Sequence, residues 1–211
     1  MKQTITSLLL LCLAILPAAA QNAGELLDKA AAAYKNANGI AASFTVNARL
    51  AEQGDESFEG AIQMKGDKFV MLTPDMRIWF DGTTQWVYMT RHEEVNISNP
   101  TGDELQQTNP MILLNSYKQN FKVSLAGEST AASGKSAYDV ELTPKKKGDI
   151  ERVTIQIEKS SQLPVRISIR GKNGMATTIQ IENLQTNQDQ PDSLFRFDEK
   201  AYPDVDLIDL R

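Results

Sequence analysis

Apolar residues change their spacing near position 39. From Gly24 to Asn36, Leu27, Ala31 and Tyr34 recur at helical intervals, with Glu25, Asp28 and Lys35 elsewhere, which predicts an amphipathic helix. Asn38-Gly39 supplies its left-handed stop. Beyond it Ala42, Phe44, Val46, Ala48 and Leu50 alternate with Ser43, Thr45, Asn47 and Arg49, the pattern of a strand with one wet face. Gln53-Gly54-Asp55 turns the chain into a second strand, in which Phe58, Gly60, Ile62 and Met64 alternate with Glu59, Gln63 and Lys65. Further strands are predicted at 69–72, 76–80, 85–89 and 94–98, with Asp81-Gly82 as a tight hairpin between the second and third of these. The alternation stops after Pro100. Asn109 to Leu114 then reads as a short apolar helix, with Asn109 as N-cap and Pro110 at the first helical position. Strands resume at 121–125, 138–142, 153–157, 165–169, 175–181 and 194–197, and Gly171-Lys172-Asn173-Gly174 marks another hairpin. Val165, Ile167 and Ile169 against Arg166, Ser168 and Arg170 is the cleanest alternation in the chain. The pattern predicts a mainly β (α+β) chain of about eleven antiparallel strands with two or three helices.

Some strands carry apolar residues on both parities. Met64, Val70 and Leu72 fall on one and Phe69 and Met71 on the other, while Trp86 and Tyr88 alternate with Val87 and Met89. Either helices cover a central strand on both sides, or one face is concave and lines a cavity. Met64, Met71, Met76, Met89 and Met111 are five of the seven methionines, and flexible thioethers suit contacts of variable shape.

The first residues bear on the compartment. Lys2, an apolar run from Leu8 to Leu16, Pro17 and Ala18-Ala19-Ala20 make a secretory signal peptide, with cleavage expected after Ala20 and residues 21–211 left as one domain. The run is well short of the ~20 residues that a membrane-spanning helix needs. Cys12 is the only cysteine and lies inside that run rather than behind it, which disfavours a lipid-modified cysteine. The processed chain then has no thiol for a disulfide, a metal site or a nucleophile. The formal net charge of −5 becomes −6 without Lys2, so nucleic acid is not an expected partner.

Enzymatic constellations fail on inspection. His92, the single histidine, sits in Arg91-His92-Glu93-Glu94 and is expected to be a solvated hairpin residue, since no second histidine or cysteine completes a metal site or a nucleophile pair. Gly134-Lys135-Ser136 resembles the end of a phosphate loop, but the glycine required five positions earlier is Ser129. Lys145-Lys146-Lys147 reads as a solvated hairpin tip, and Asn96-Ile97-Ser98 fits a glycosylation acceptor that is common by chance. A non-enzyme without cofactor or metal is expected.

Three stretches together resemble the LolA-type periplasmic carriers of outer-membrane lipoproteins: Ile40-Ala41-Ala42-Ser43-Phe44-Thr45, Asp81-Gly82-Thr83-Thr84-Gln85-Trp86-Val87-Tyr88, and Phe195-Arg196-Phe197 through Pro203-Asp204-Val205-Asp206-Leu207-Ile208. The resemblance implies an incomplete, strongly curved antiparallel β-barrel with helices as a lid, located in the periplasm. It implies acylated lipoproteins as cargo, an inner-membrane ATP-driven transporter as donor, an outer-membrane acceptor, and a monomer. Carried over by position, Phe44, Met64, Val70, Leu72, Trp86 and Tyr88 would line the lipid cavity, and Met111, Ile112 and Leu113 would belong to the lid. Where many relatives have an Arg-Pro pair that latches the lid, this chain has Lys65-Gly66-Asp67-Lys68, so Lys65 or Lys68 would have to substitute without arginine's planar fork. The alternative on the same fold is an envelope-stress sensor that acts through protein contacts; a lipid hydrolase is disfavoured because His92 has no nucleophile elbow to serve.

Overall fold

The structure, a computed structural model, describes residues 16–50, 54–101, 104–105 and 113–211. Helix α1 (Leu16–Asn36) buries Ala23, Leu27 and Ala30 completely, one residue per turn on one face. It begins before Ala20, so helical backbone runs across the expected cleavage point. At its far end Asn38 and Gly39 have φ of 44° and 92°. Gly39 is irreplaceable for a second reason, since a methyl there would lie 2.2 Å from the carbonyl oxygen of Gln188.

Among the described residues twelve strands form one sheet: β1 (Ile40–Leu50), β2 (Gly54–Lys65), β3 (Lys68–Leu72), β4 (Met76–Phe80), β5 (Gln85–Met89), β6 (Glu94–Ser98), β7 (Phe121–Thr130), β8 (Ser136–Pro144), β9 (Ile150–Glu158), β10 (Pro164–Gly171), β11 (Ala176–Thr186) and β12 (Asp206–Asp209). Their order is β12-β6-β5-β4-β3-β2-β1-β11-β10-β9-β8-β7. Two meanders are thus joined where β1 pairs with β11, and β7 and β12 remain as free edges, so the sheet is open. Helix α2 (Leu113–Asn120) enters β7 directly, and α1 packs against α2, β7 and β8.

The strand expected at 194–197 is the exception to the predicted pattern. Asp192–Phe195 is a 3-10 turn instead, entered from Pro191, which has no N–H to give to a ladder. Phe195 still reaches the core and is fully buried. The last strand lies further on, where β12 joins β6 in parallel register, Leu207 opposite Val95.

One hydrophobic cluster unites the helices with the sheet. Leu27 and Ala30 of α1 and Leu113, Leu114 and Tyr117 of α2 pack with Val140, Leu142, Val153, Ile155 and Ile167 of β8 to β10. Among the described residues, the helices therefore cover the β7–β9 end of the inner face and leave its middle bare.

Candidate functional site: an apolar cavity

That bare middle is a cavity of about 860 Å³. Its wall takes Ile40, Phe44 and Val46 from β1, Ile62 and Met64 from β2, Met71 from β3, Met76 and Ile78 from β4, Val153 from β9, Ile167 and Ile169 from β10, and Ile179 and Ile181 from β11, with Leu113 from α2. In a flat sheet β4 and β9 would lie roughly 29 Å apart, six spacings of about 4.8 Å. Both touch one cavity, so the sheet curls around it. The size falls within the ~300–1,000 Å³ typical of small-molecule sites, and the lining is more uniformly apolar than most. Among the described residues, Thr73, Asp75 and Thr177 are the polar ones in it. Asp75 is turned to an ion pair with Arg91 at 3.2 Å, on the surface. Phe58 and Ile150 belong to the lining and remain 40% and 39% exposed, so hydrocarbon surface continues out to solvent.

Hairpin register explains which residues reach the cavity. The two-residue turn Gly66-Asp67 pairs Lys65 with Lys68, Met64 with Phe69 and Ile62 with Met71, so even positions on β2 share a face with odd positions on β3. The same inversion pairs Ile78 with Val87 and Trp79 with Trp86 across β4 and β5. Phe44, Met64 and Leu113 accordingly line the cavity. The wall positions expected at Val70, Leu72, Trp86 and Tyr88 are corrected: these residues follow Trp79 and Arg77 onto the outer face. Val70 and Leu72 flank a small outer groove with Trp79 and Leu194, and the Tyr88 ring lies 5.1 Å from that of Tyr202. Met111 and Ile112 lie outside the described residues.

The lysines expected as a lid latch hold something else. Lys65 Nζ donates to the Gln190 carbonyl at 2.8 Å, and Lys68 pairs with Asp192 at 2.7 Å. They fasten the segment after β11 to the β2–β3 hairpin. Helix α1 reaches that hairpin through the Tyr34 hydroxyl, 3.4 Å from the Gly66 carbonyl. The helices are instead bound to each other: the Tyr117 hydroxyl is 2.8 Å from Asp28 Oδ1 and 2.9 Å from the Gly24 carbonyl, and Lys118 donates to Asp28 Oδ2 at 2.9 Å. The Lys118 contact is the largest reason that the Asp28 carboxyl sits below its ordinary pKa.

His92 lies in the β5–β6 turn, exposed, with its backbone N–H donated to Met89. Among the described residues no three His, Cys, Asp or Glu side chains are placed to hold a metal ion, and no helix is long and apolar enough to cross a membrane.

Residues 13–174 match the family described as "Outer membrane lipoprotein carrier protein LolA". The chain belongs to the LolA family. A curated relative, the protein MJ0687 of Methanocaldococcus jannaschii, is 26% identical over 178 residues, which are 83% of this chain and 51% of that protein. The chain thus spans about half the length of the curated relative that it matches. Among solved structures, an uncharacterized conserved protein from Thermus thermophilus superposes with a TM-score of 0.63 at 14% identity, over 89% of this chain and 99% of that one. MucB does so with 0.51 at 16% identity, over 84% of this chain and 63% of its own. At such identities these two likenesses are of fold alone. The part of this LolA-family cavity that the candidate residues missed is the β9–β11 half, Val153, Ile167, Ile169, Ile179 and Ile181. Its signal was present in the strict alternation at 165–169, which marked a wall without telling a hollow from a packed core.

Proposed function

We propose that this protein is a periplasmic carrier that shields the acyl chains of lipoproteins in the cavity between curved sheet and helices, and passes them toward the outer membrane. In this reading it receives cargo from an ATP-driven inner-membrane transporter, yields it to an outer-membrane acceptor, and catalyses no reaction. The single observation that carries the proposal is the cavity of about 860 Å³ with its almost wholly hydrocarbon lining. Each methylene moved from water into such a lining gains about 0.8 kcal/mol, so half of a long acyl chain supplies several kcal/mol before ordering costs. An open sheet edge and an exposed apolar rim at Phe58 and Ile150 leave a way in and out.

Adjacent residues of β3 give a sharp test, because Met71 lines the cavity and Leu72 points outward. The protein is purified from its host's envelope, and bound acyl species are read by mass spectrometry and by displacement of a fluorescent fatty acid. Wild type and Leu72→Asp are expected to bind alike, and Met71→Asp to lose at least about tenfold, the effect of desolvating a carboxylate in an apolar site. If folded Met71→Asp binds as wild type does, or wild type yields no acyl species and displaces nothing, the carrier reading is wrong.

A further inference from the structure

Gly60 lies in mid-strand on β2, directly opposite Phe44 on β1. It is not among the residues of positive φ, so its backbone conformation is open to any residue. What excludes a side chain there is space. A methyl on Gly60 would stand 2.3 Å from Phe44 Cζ, 2.7 Å from Phe44 Cε2 and 2.6 Å from the Leu72 carbonyl oxygen. Carbon atoms rest about 3.5–4.0 Å apart, so the place of the missing side chain is already filled from two sides. A glycine inside a strand commonly marks such an approach.

The two obstacles differ in stiffness. The Leu72 carbonyl belongs to the last residue of β3, and Ala61, the next residue of β2, is its register partner. The Phe44 contact is the far end of a side chain that turns about two torsions. Phe44 lines the cavity and is 7% exposed, and its ring tip lies over Gly60 against the wall rather than standing in the hollow. The Leu72 approach also matters at the rim, because Thr73-Pro74-Asp75 follows at once and borders the cavity. A side chain at position 60 would drive the ring inward, where a phenyl group takes the room of several methylenes.

We propose that Gly60 is a specificity-determining residue: by giving the Phe44 ring a place to lie, it sets the width of the cavity and so the length of hydrocarbon chain admitted. The inference rests on the acyl-binding reading above. The missing Cβ selects for long unbranched tails. A larger residue at 60, or a ring too large to lie there, restricts the site to short ones.

The test measures displacement of a fluorescent fatty acid by decanoate, myristate, palmitate and stearate. Wild type is expected to tighten through palmitate. Gly60→Ala is expected to weaken palmitate and stearate by roughly tenfold or more and decanoate little, the loss of a few buried methylenes. Adding Phe44→Ala to Gly60→Ala restores the long chains. An unchanged length profile in folded Gly60→Ala, or an equal loss at every length, overturns the inference. Should Gly60→Ala fail to fold, Phe44→Trp takes its place: indole cannot lie in that space, and the same shortening is expected, with an unchanged profile overturning the inference. If wild type binds none of the series, the carrier reading fails instead. The crystal structure of the variant then decides this point alone: a ring standing in the hollow supports it, and a ring still against the wall overturns it.

Discussion

Asp81 shows how one carboxylate ties the β4–β5 turn to the C-terminal segment. It accepts the backbone N–H groups of Thr83 at 3.1 Å and Thr84 at 2.9 Å, and the Arg196 guanidinium at 3.0 Å. Burial raises its pKa, but the Thr84 and Thr83 amides and Arg196 outweigh burial and hold it below the ordinary value. Glu158 follows the same pattern, with burial opposed by Ser160, Lys135 and Ser161. A carboxyl whose folded pKa is lowered adds stability above its unfolded pKa and loses it as pH falls through the folded one. Thermal midpoints are therefore expected to hold near neutrality and to fall on acidification below about pH 4. Asp81→Asn keeps an acceptor for the two amides but no charge for Arg196. It is expected to cost ~1–3 kcal/mol at neutral pH and to flatten part of the acid dependence, read from unfolding midpoints at several pH values. An unchanged slope would refute the assignment.

At the scale of elements, the two helices form a unit that rests on one end of the sheet. Tyr117 is central to it, with burial pushing its hydroxyl pKa up and the Asp28 carboxylate adding to the effect. Its ring is also 5.8 Å from Lys118 Nζ. Tyr117→Phe keeps the packing and removes the hydroxyl, so hydrogen exchange in α1 is expected to quicken by a factor matching ~1 kcal/mol while β9 to β11 exchange as before. Leu27→Ala opens a void where helix and sheet meet, and is expected to cost ~2–5 kcal/mol of global stability in denaturant unfolding. Equal acceleration of α1 and the sheet by Tyr117→Phe would mean that the helices do not open separately. The segment after β11 is a second accessory element, fastened by Lys65 to Gln190 and by Lys68 to Asp192. Lys68 is 32% and Asp192 69% exposed as side chains, so solvent screens their pair, and Lys68→Ala is expected to leave the unfolding midpoint nearly unchanged.

For the whole molecule, the cavity follows from curvature, and curvature is the property that local pattern conveys least. The strands at 76–80, 85–89 and 94–98 were legible to the residue, and that at 69–72 to within one, because alternation and the Asp81-Gly82 turn are local signals. Phe44 and Met64 were named as wall residues by the family resemblance, and both line the cavity. Val70, Leu72, Trp86 and Tyr88 were misplaced because parity reverses across each two-residue hairpin, and because an outer face covered by Phe197 and Tyr202 is as apolar as an inner one. The closing strand was misplaced because β12 pairs with β6 across more than a hundred residues, a contact that no local periodicity announces. The amino-acid sequence by itself determined the mainly β architecture, most strand limits, the helix stop at Asn38-Gly39 and the family, all of which depend on near neighbours or on residue order. The family resemblance implied an incomplete, curved sheet, but local pattern did not, and only the tertiary structure decided which residues line the hollow and which of two apolar faces looks inward. Those are sums of strand twist and long-range pairing, and the same alternation is compatible with either outcome until every strand is in place.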